Sequence, residues 1–186
     1  MPQLVTRYRD PLRHENPTAT NTVRNDNPPL NPVKPADNPG VVAFPPLIFA
    51  MFAALGIGLH FIAPLPLLPH WSARAVGVAL SLLAGALATW ARRVMKAAGT
   101  NIRPDLPALT IVRDGPYRFT RNPMYLSLCL LQVAIGFLFN DWLALLLVVP
   151  LALVLHFGVI LREERYLEAK FGEQYLALKS RVRRWF

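Results

Sequence analysis

Two neighbouring carboxylates, Glu163 and Glu164, stand at the end of a long apolar stretch, and a polar connection, AAGTNIRPDLPALTIVRDGPYRFTRN, runs from Ala97 to Asn122 earlier in the chain. Pro104, Pro107 and the Gly115-Pro116 turn stiffen that connection, so its backbone can present N–H groups to a ligand. Adjacent residues on a helix point about 100° apart, and the two carboxylates therefore cannot share one task. Backbone donors with one carboxylate nearby suit a small zwitterionic or cationic ligand. The same glutamates equally suit pairing with arginines on a solvated face. Arg118 and Arg121 fit either phosphate or carboxylate ligation or anchoring at an interface. His60 and His156 lie within apolar segments, and His156 precedes Glu163 by about two helical turns, a spacing compatible with a buried proton relay. The single cysteine, Cys129, excludes an intramolecular disulfide framework and a Cys-based zinc site. No cluster of Asp, Glu or His has a ligand spacing either, so no metal is expected.

The elements that must position these groups are apolar helices. Hydrophobic residues make up 53% of the 186, charged residues only 17%, and the mean hydropathy is +0.31, an unusual balance for a water-soluble domain. From residue 40 to 91 and from 122 to 161, Arg74 and Asp141 are the only charged side chains, which is the pattern of membrane-spanning segments. Four spans are expected, at about 44–63, 71–95, 123–139 and 142–161. Pro64, Pro66 and Pro69 separate the first two, and only Asn140 and Asp141 separate the last two, which forces a tight antiparallel hairpin. Pro150 is expected to kink the fourth. Gly77, Ala84, Gly85 and Ala88 in the second span would let a neighbouring backbone approach closely. After Leu161, the apolar residues Leu167, Phe171, Tyr175, Leu178, Val182 and Trp185 recur at three- or four-residue steps, an amphipathic stripe that Gly172 should divide in two. Trp71, Trp142 and Trp185, at segment ends, read as an interfacial belt.

The reading is thus an all-α integral membrane protein of about four transmembrane helices plus a C-terminal amphipathic helix, with residues 162–186 as a cytoplasmic region. Residues 1–43, rich in Asn-Pro pairs and without apolar periodicity, read as a disordered tail. Net charge of +9 and a pI near 10.4 raise nucleic acid as a partner, but the basic residues lie beside the apolar blocks. Loops facing anionic lipid explain them better, and membrane lipids rather than nucleic acid are the expected partners. Seven Lys and Arg fall between Arg92 and Arg121, and seven more between Arg162 and Arg184, which places both termini in the cytoplasm.

The string GPYRFTRNPMYLS from Gly115, followed after a helical hairpin by EERYLEAKFGEQYLALKSRVRRW from Glu163, resembles the isoprenylcysteine carboxyl methyltransferase family, with phospholipid N-methyltransferases as more distant relatives. The resemblance runs from about the second span to the C-terminus. It implies an integral membrane enzyme that uses S-adenosylmethionine without a Rossmann fold. By position it implies cofactor contacts from Leu109, Thr110, Ile111, Val112, Tyr117, Asn122, Pro123, Met124 and Tyr125, with Glu163 as the carboxylate contact. The chain departs from the prenylcysteine enzymes in two places. Asn122 stands where they carry a histidine, and Val159 stands where they carry a substrate-binding arginine. Arg162 and Arg121 are then the candidate acceptor contacts, and no residue is assigned as a catalytic acid or base.

The expected function is S-adenosylmethionine-dependent methyl transfer to a lipidic or hydrophobic carboxylate, thiol or amine that enters sideways between helices, past small residues such as Gly85 and Ala88. Two other readings remain open. One is an NADPH-dependent membrane reductase of related architecture, with Arg113, Arg118 and Arg121 as phosphate contacts. The other is a non-enzymatic membrane scaffold or small transporter, although the chain lacks the intramembrane charges or repeat of a transporter.

Overall fold

The computed structural model describes residues 37–185. Most of the expected tail, residues 1–36, lies outside the described residues, whereas residues 37–43 lie against the bundle, where Val42 N–H donates to Gly158 C=O at 3.2 Å. All regular structure among the described residues is helical.

Proline and short polar side chains set most of the boundaries. Helix α1 (Pro45–Ile62) opens on two prolines, which cost nothing in a first turn whose N–H groups have no helical acceptor. The proline-rich connection that follows ends it, and α2 (His70–Ala97) begins directly after Pro69. At 28 residues, α2 is about 42 Å long and outreaches a hydrocarbon core of about 30 Å. Helix α3 (Pro123–Leu138) again starts on a proline. Asn140 takes φ of 54°, and the Asp141 carboxylate caps α4 (Trp142–Leu146) by accepting from Leu143 N–H at 2.8 Å and Ala144 N–H at 3.1 Å. The hairpin is tight because Gly136 has no side chain, since a Cβ there would lie 2.6 Å from Leu145 Cα.

Beyond α4 the chain continues as α5 (Val148–Leu155), a π-helical turn (His156–Ile160) and α6 (Leu161–Phe171), which together form one rod from Trp142 to Phe171. The expected disturbance at Pro150 appears one turn earlier, between α4 and α5. Proline has no N–H to offer the Leu146 carbonyl, and the hydrogen-bond ladder is interrupted there while Leu147 keeps helical dihedrals and the rod continues. Gly172, with φ of 50°, then separates α6 from α7 (Glu173–Arg181).

The α1, α2, α3 and α4–α6 legs alternate in direction, so Phe44, Ala97, Pro123 and Ile160 lie at one end of the bundle and the α3–α4 hairpin at the other. Helix α3 is the central leg: α2 packs along one side of it, while α1 packs on α3, α4 and α5. Ala73, Gly77, Ala84 and Ala91 form the buried stripe of α2, and a Cβ on Gly77 would meet Leu138 N at 2.7 Å. Gly77 and Ala84 therefore serve close packing as expected. Gly85 does not: it faces outward with nothing within 4 Å of the place a Cβ would take, because it lies about 100° around the helix from Ala84.

Three helices are long and apolar enough to cross a membrane, namely Pro45–Ile62, His70–Ala97 and Trp142–Phe171, and α3 is a shorter apolar helix between them. Their outer surfaces are apolar, with Leu82 70% and Phe61 76% exposed, a surface that suits lipid and not water. Trp71 and Trp142 are exposed near helix ends, as a belt requires, whereas Trp185 is taken up in a tertiary contact described below.

Candidate active site

The end of the bundle that holds the 98–122 connection and α6–α7 encloses a cavity of about 500 Å³, within the range of small-molecule sites. Its walls come from Ala88, Arg92 and Met95 on α2, much of the connection between Thr100 and Val112, the start of α3, and Glu163, Glu164, Tyr166 and Leu167 on α6. Phe44, Pro45 and Pro46 at the start of α1 close a further side, and Tyr175 and Leu178 of α7 form the cap. The lining is mainly apolar.

Of the residues expected to contact a cofactor, Thr110, Ile111, Val112, Tyr117, Asn122, Pro123, Met124, Tyr125 and Glu163 all line this cavity, as does Arg121. Leu109 and Arg162 are not among its lining residues. Leu109 turns its side chain to the exterior, its N–H held by Thr100 Oγ1 at 3.0 Å, and the exposed Arg162 guanidinium donates to Gly40 C=O at 3.0 Å. Arg113 donates to Gln174 C=O, and Arg118 is exposed on the short 3₁₀ turn Gly115–Arg118.

The adjacent glutamates have different surroundings. Glu164, 5% exposed, accepts from Arg121 Nη2 at 2.8 Å and from Arg184 Nε and Nη2 at 2.8 and 2.7 Å, so two guanidinium groups surround one carboxylate. Glu163 accepts from the Tyr125 hydroxyl at 2.5 Å and has no cationic partner among the described residues. The 100° turn from one residue to the next sends the two side chains to different neighbours, as the helix geometry requires. Arg121 also carries a buried Nε–H without an acceptor, on the wall of the same cavity.

Burial, and secondarily the Glu163 charge, pushes the Tyr117 hydroxyl well above the usual phenol range, and burial does the same at Tyr175. Both stay protonated and serve as hydrogen-bond donors or apolar walls, not bases.

Much of what shapes the cavity had little sequence signal. The C-terminal segment folds back over the start of α3: Arg121 N–H donates to Arg183 C=O at 3.0 Å, while Thr120 Oγ1 and Asn122 Nδ2 both donate to Arg184 C=O at 3.0 Å. Asn122 thus uses its side chain to hold the C-terminus instead of capping α3. Trp185 Nε1 donates to His156 Nδ1 at 3.3 Å, so His156 braces the C-terminus and does not line the cavity, and a relay from it to Glu163 finds no support in this placement. Tyr166, which sequence reasoning passed over, joins three segments. Its hydroxyl accepts from Ala108 N–H at 3.1 Å, donates to Asp37 Oδ1 at 2.8 Å and lies 3.0 Å from Lys170 Nζ. Among the described residues, no group of three or more His, Cys, Asp or Glu could hold a metal.

Residues 72–174 match the model of a family described as phospholipid methyltransferase, a stretch covering more than half of the chain from the start of α2 into α7. A protein of Haemophilus influenzae, described as an uncharacterized protein, is 47% identical over 62 residues, which cover 33% of this chain and 98% of that protein. The match supports the resemblance drawn from the motifs at the coarser level: the matching model is that of the phospholipid methyltransferases, and isoprenylcysteine carboxyl methyltransferases belong to the same superfamily. It lends no support to a reductase. The apolar helices, the enclosed cavity at one end of the bundle and the matched region around it agree: the chain belongs to the phospholipid methyltransferase family, whose general activity is methyl transfer at a membrane.

Proposed function

We propose that the cavity binds S-adenosylmethionine and that the protein transfers its methyl group to a lipidic acceptor entering from the bilayer. The observation that carries this reading is the unequal treatment of the two glutamates. Both arginines go to Glu164, and Glu163 remains at the cavity wall with a tyrosine hydroxyl and no cation among the described residues. A carboxylate in a largely apolar cavity is costly to desolvate unless a positive group approaches it. A cationic or zwitterionic ligand supplies that group. The cavity volume suits a small organic molecule of this class, and the buried Arg121 Nε–H offers a donor for its acceptor atoms.

S-adenosylmethionine, when bound, would supply an electrophilic methyl on a sulfonium, with Glu163 placed to meet a cationic part of the molecule. An acceptor that is already anionic, such as a carboxylate or thiolate, would need no acid or base from these residues. The apolar walls exclude water, which strengthens electrostatic interactions within the cavity. The stiffened 100–112 connection and the braced C-terminus hold the walls in place, so that orientation supplies much of the rate. Tyr125 fixes the Glu163 carboxylate, and Tyr117 and Tyr175 form aromatic walls.

The charge distribution supports a cytoplasmic site end: among the described residues, the two clusters of seven Lys and Arg both belong to this end of the bundle, and Arg74 alone belongs to the other. Residues 44–186 would then form the membrane methyltransferase domain. Of the three arginines that a phosphorylated nicotinamide would require, only Arg121 lines the cavity, and it is already paired with Glu164.

Equilibrium binding of labelled S-adenosylmethionine to detergent-purified protein tests the reading. Saturable binding, displaced by S-adenosylhomocysteine and weakened about tenfold by Glu163→Gln, is the expected result; one charge-assisted contact is worth about 1.4 kcal/mol or more. No binding to a folded sample, or displacement by NADPH alone, would overturn it.

A further inference from the structure

Gly158, Arg162, Tyr166 and Lys170 recur every four residues along the rod that ends in α6, and so form one row on its surface. Residues 37–43 run antiparallel along that row. Val42 N–H donates to Gly158 C=O at 3.2 Å, and Gly40 C=O accepts from Arg162 Nη1 at 3.0 Å. Asp37 accepts from the Tyr166 hydroxyl at 2.8 Å and from Lys170 Nζ at 2.8 and 2.7 Å. Between these attachments Gly40 takes φ of 58° and donates its N–H to Asn38 Oδ1 at 3.0 Å, in a turn that places Pro39 on the cavity wall. Val41 and Ala43 pack against the core, so the turn at Gly40 separates a fixed portion from an outer portion, residues 37–39, whose side-chain attachments are exposed. Exposed polar contacts are each worth little. The wall that carries Pro39 is therefore the one that opens most readily.

Tyr166 ties this outer portion to a second wall. Its hydroxyl donates to Asp37 Oδ1 and accepts from Ala108 N–H at 3.1 Å and from Lys170 Nζ at 3.0 Å, which uses its one proton and both lone pairs. The Lys170 ammonium also lies 5.4 Å from the centre of the Tyr166 ring. Pro39, Ala108 and Tyr166 all line the cavity, so a single hydroxyl joins two irregular segments where they meet on α6. We propose that Tyr166 is a positioning residue, the latch that holds these two walls of the cavity together, and that ligands enter and leave as residues 37–39 swing away about Gly40. The proposal rests on the cofactor reading above only for the identity of the ligand. Tyr166 takes no part in bond making.

A latch and a direct ligand contact differ in their kinetics. Entry and exit wait on the same opening, so loosening a latch speeds both and leaves affinity nearly unchanged. Removing a direct contact speeds exit alone and weakens affinity by the same factor. Tyr166→Phe keeps the ring and its cation contact and removes only the hydroxyl. The Lys179–Glu168 ion pair, which joins α7 to α6 without touching either segment, provides the control.

The experiment uses the full chain in detergent and two measurements. Hydrogen exchange of the protein alone should be faster in Tyr166→Phe over both 37–43 and 104–112, with α2 and α3 unchanged, and Lys179→Gln should match the wild type in all four regions. Association and dissociation of labelled S-adenosylmethionine, followed separately, should both quicken about fivefold in Tyr166→Phe while Kd stays within about twofold. Asp37→Ala, at an exposed position, should shift both rates in the same direction by about threefold and keeps the test open should Tyr166→Phe fold poorly. Faster exchange in only one of the two segments or in neither, or a Kd that rises in step with dissociation while association is unchanged, would overturn the latch. An effect of Lys179→Gln equal to that of Tyr166→Phe would overturn it as well. Joint loosening of both segments in a protein that binds no S-adenosylmethionine would keep the latch and remove the cofactor reading.

Discussion

The two ends of the bundle use buried acidic groups in opposite ways. At the hairpin end, Asp141 is fully buried and accepts from Leu65, Leu143 and Ala144 N–H and from His60. Beside it, Asn140 Oδ1 accepts from Leu67 and Leu68 N–H, and its amide donates to Leu68 C=O. Each side chain ties the α1–α2 connection to the α3–α4 turn, and these side chains are fully engaged within the protein. At the site end, Glu164 resembles Asp141 in being enclosed by donors, whereas its neighbour Glu163 meets one hydroxyl and Arg92 meets no acceptor among the described residues. A polar group with all its partners supplied by the chain stabilises the fold; one with a partner missing, at the wall of a cavity, is available to a ligand.

If that contrast holds, substitutions at the two ends should separate stability from binding. The largest effect is expected at Glu164. Glu164→Gln leaves the buried Arg121 without its counter-ion and should destabilise the protein by about 3 kcal/mol, seen as a lower midpoint in thermal or denaturant unfolding. A midpoint unchanged from wild type would show that the ion cluster is not structural. Next comes Asp141→Ala, which strips the cap of α4 and leaves the Leu65 N–H without its acceptor. About 2 kcal/mol of stability should be lost, with S-adenosylmethionine affinity unaltered in the protein that remains folded; a parallel loss of affinity would couple the ends and break the comparison. Glu163→Gln should act the other way, weakening the cofactor about tenfold while the midpoint stays within about 0.5 kcal/mol of wild type, because no cationic partner is left behind. The smallest effect belongs to Gly85→Leu. This position lies on the outer face of α2 with open space around it, so neither binding nor stability should fall, whereas Ala88→Leu, on the cavity wall, should reduce ligand binding. Equal effects at 85 and 88 would mean that the acceptor path has been placed on the wrong face of α2.

How much of this was legible in the chain follows from the range of the interactions involved. The spans, their order and the hairpin at Asn140-Asp141 follow from uncharged length and from proline, signals carried by neighbouring residues. That Thr110, Ile111, Val112, Tyr117, Asn122, Pro123, Met124, Tyr125 and Glu163 share one site was legible only through the resemblance to a known family, since they come from three separate stretches of the chain. Gly85 was misread as a packing residue because a run of small residues does not say which side of a helix meets its neighbour. Trp185 was read as a belt residue, but its partner, His156, is 29 positions away. Tyr166 offered no signal at all, since its role depends on Ala108 and Asp37 arriving beside it.

Composition and local pattern alone determined that this chain is helical, lies in a membrane and concentrates its cationic charge at one end, because burial of apolar length and avoidance of unpaired backbone groups act residue by residue along the sequence. Only the tertiary structure decided which of two adjacent glutamates on the cavity wall is neutralised by arginines and which is left with a tyrosine hydroxyl. Those outcomes depend on which side chains from α3 and the C-terminal segment reach the same place, and a one-residue step of about 100° around α6 separates the two fates.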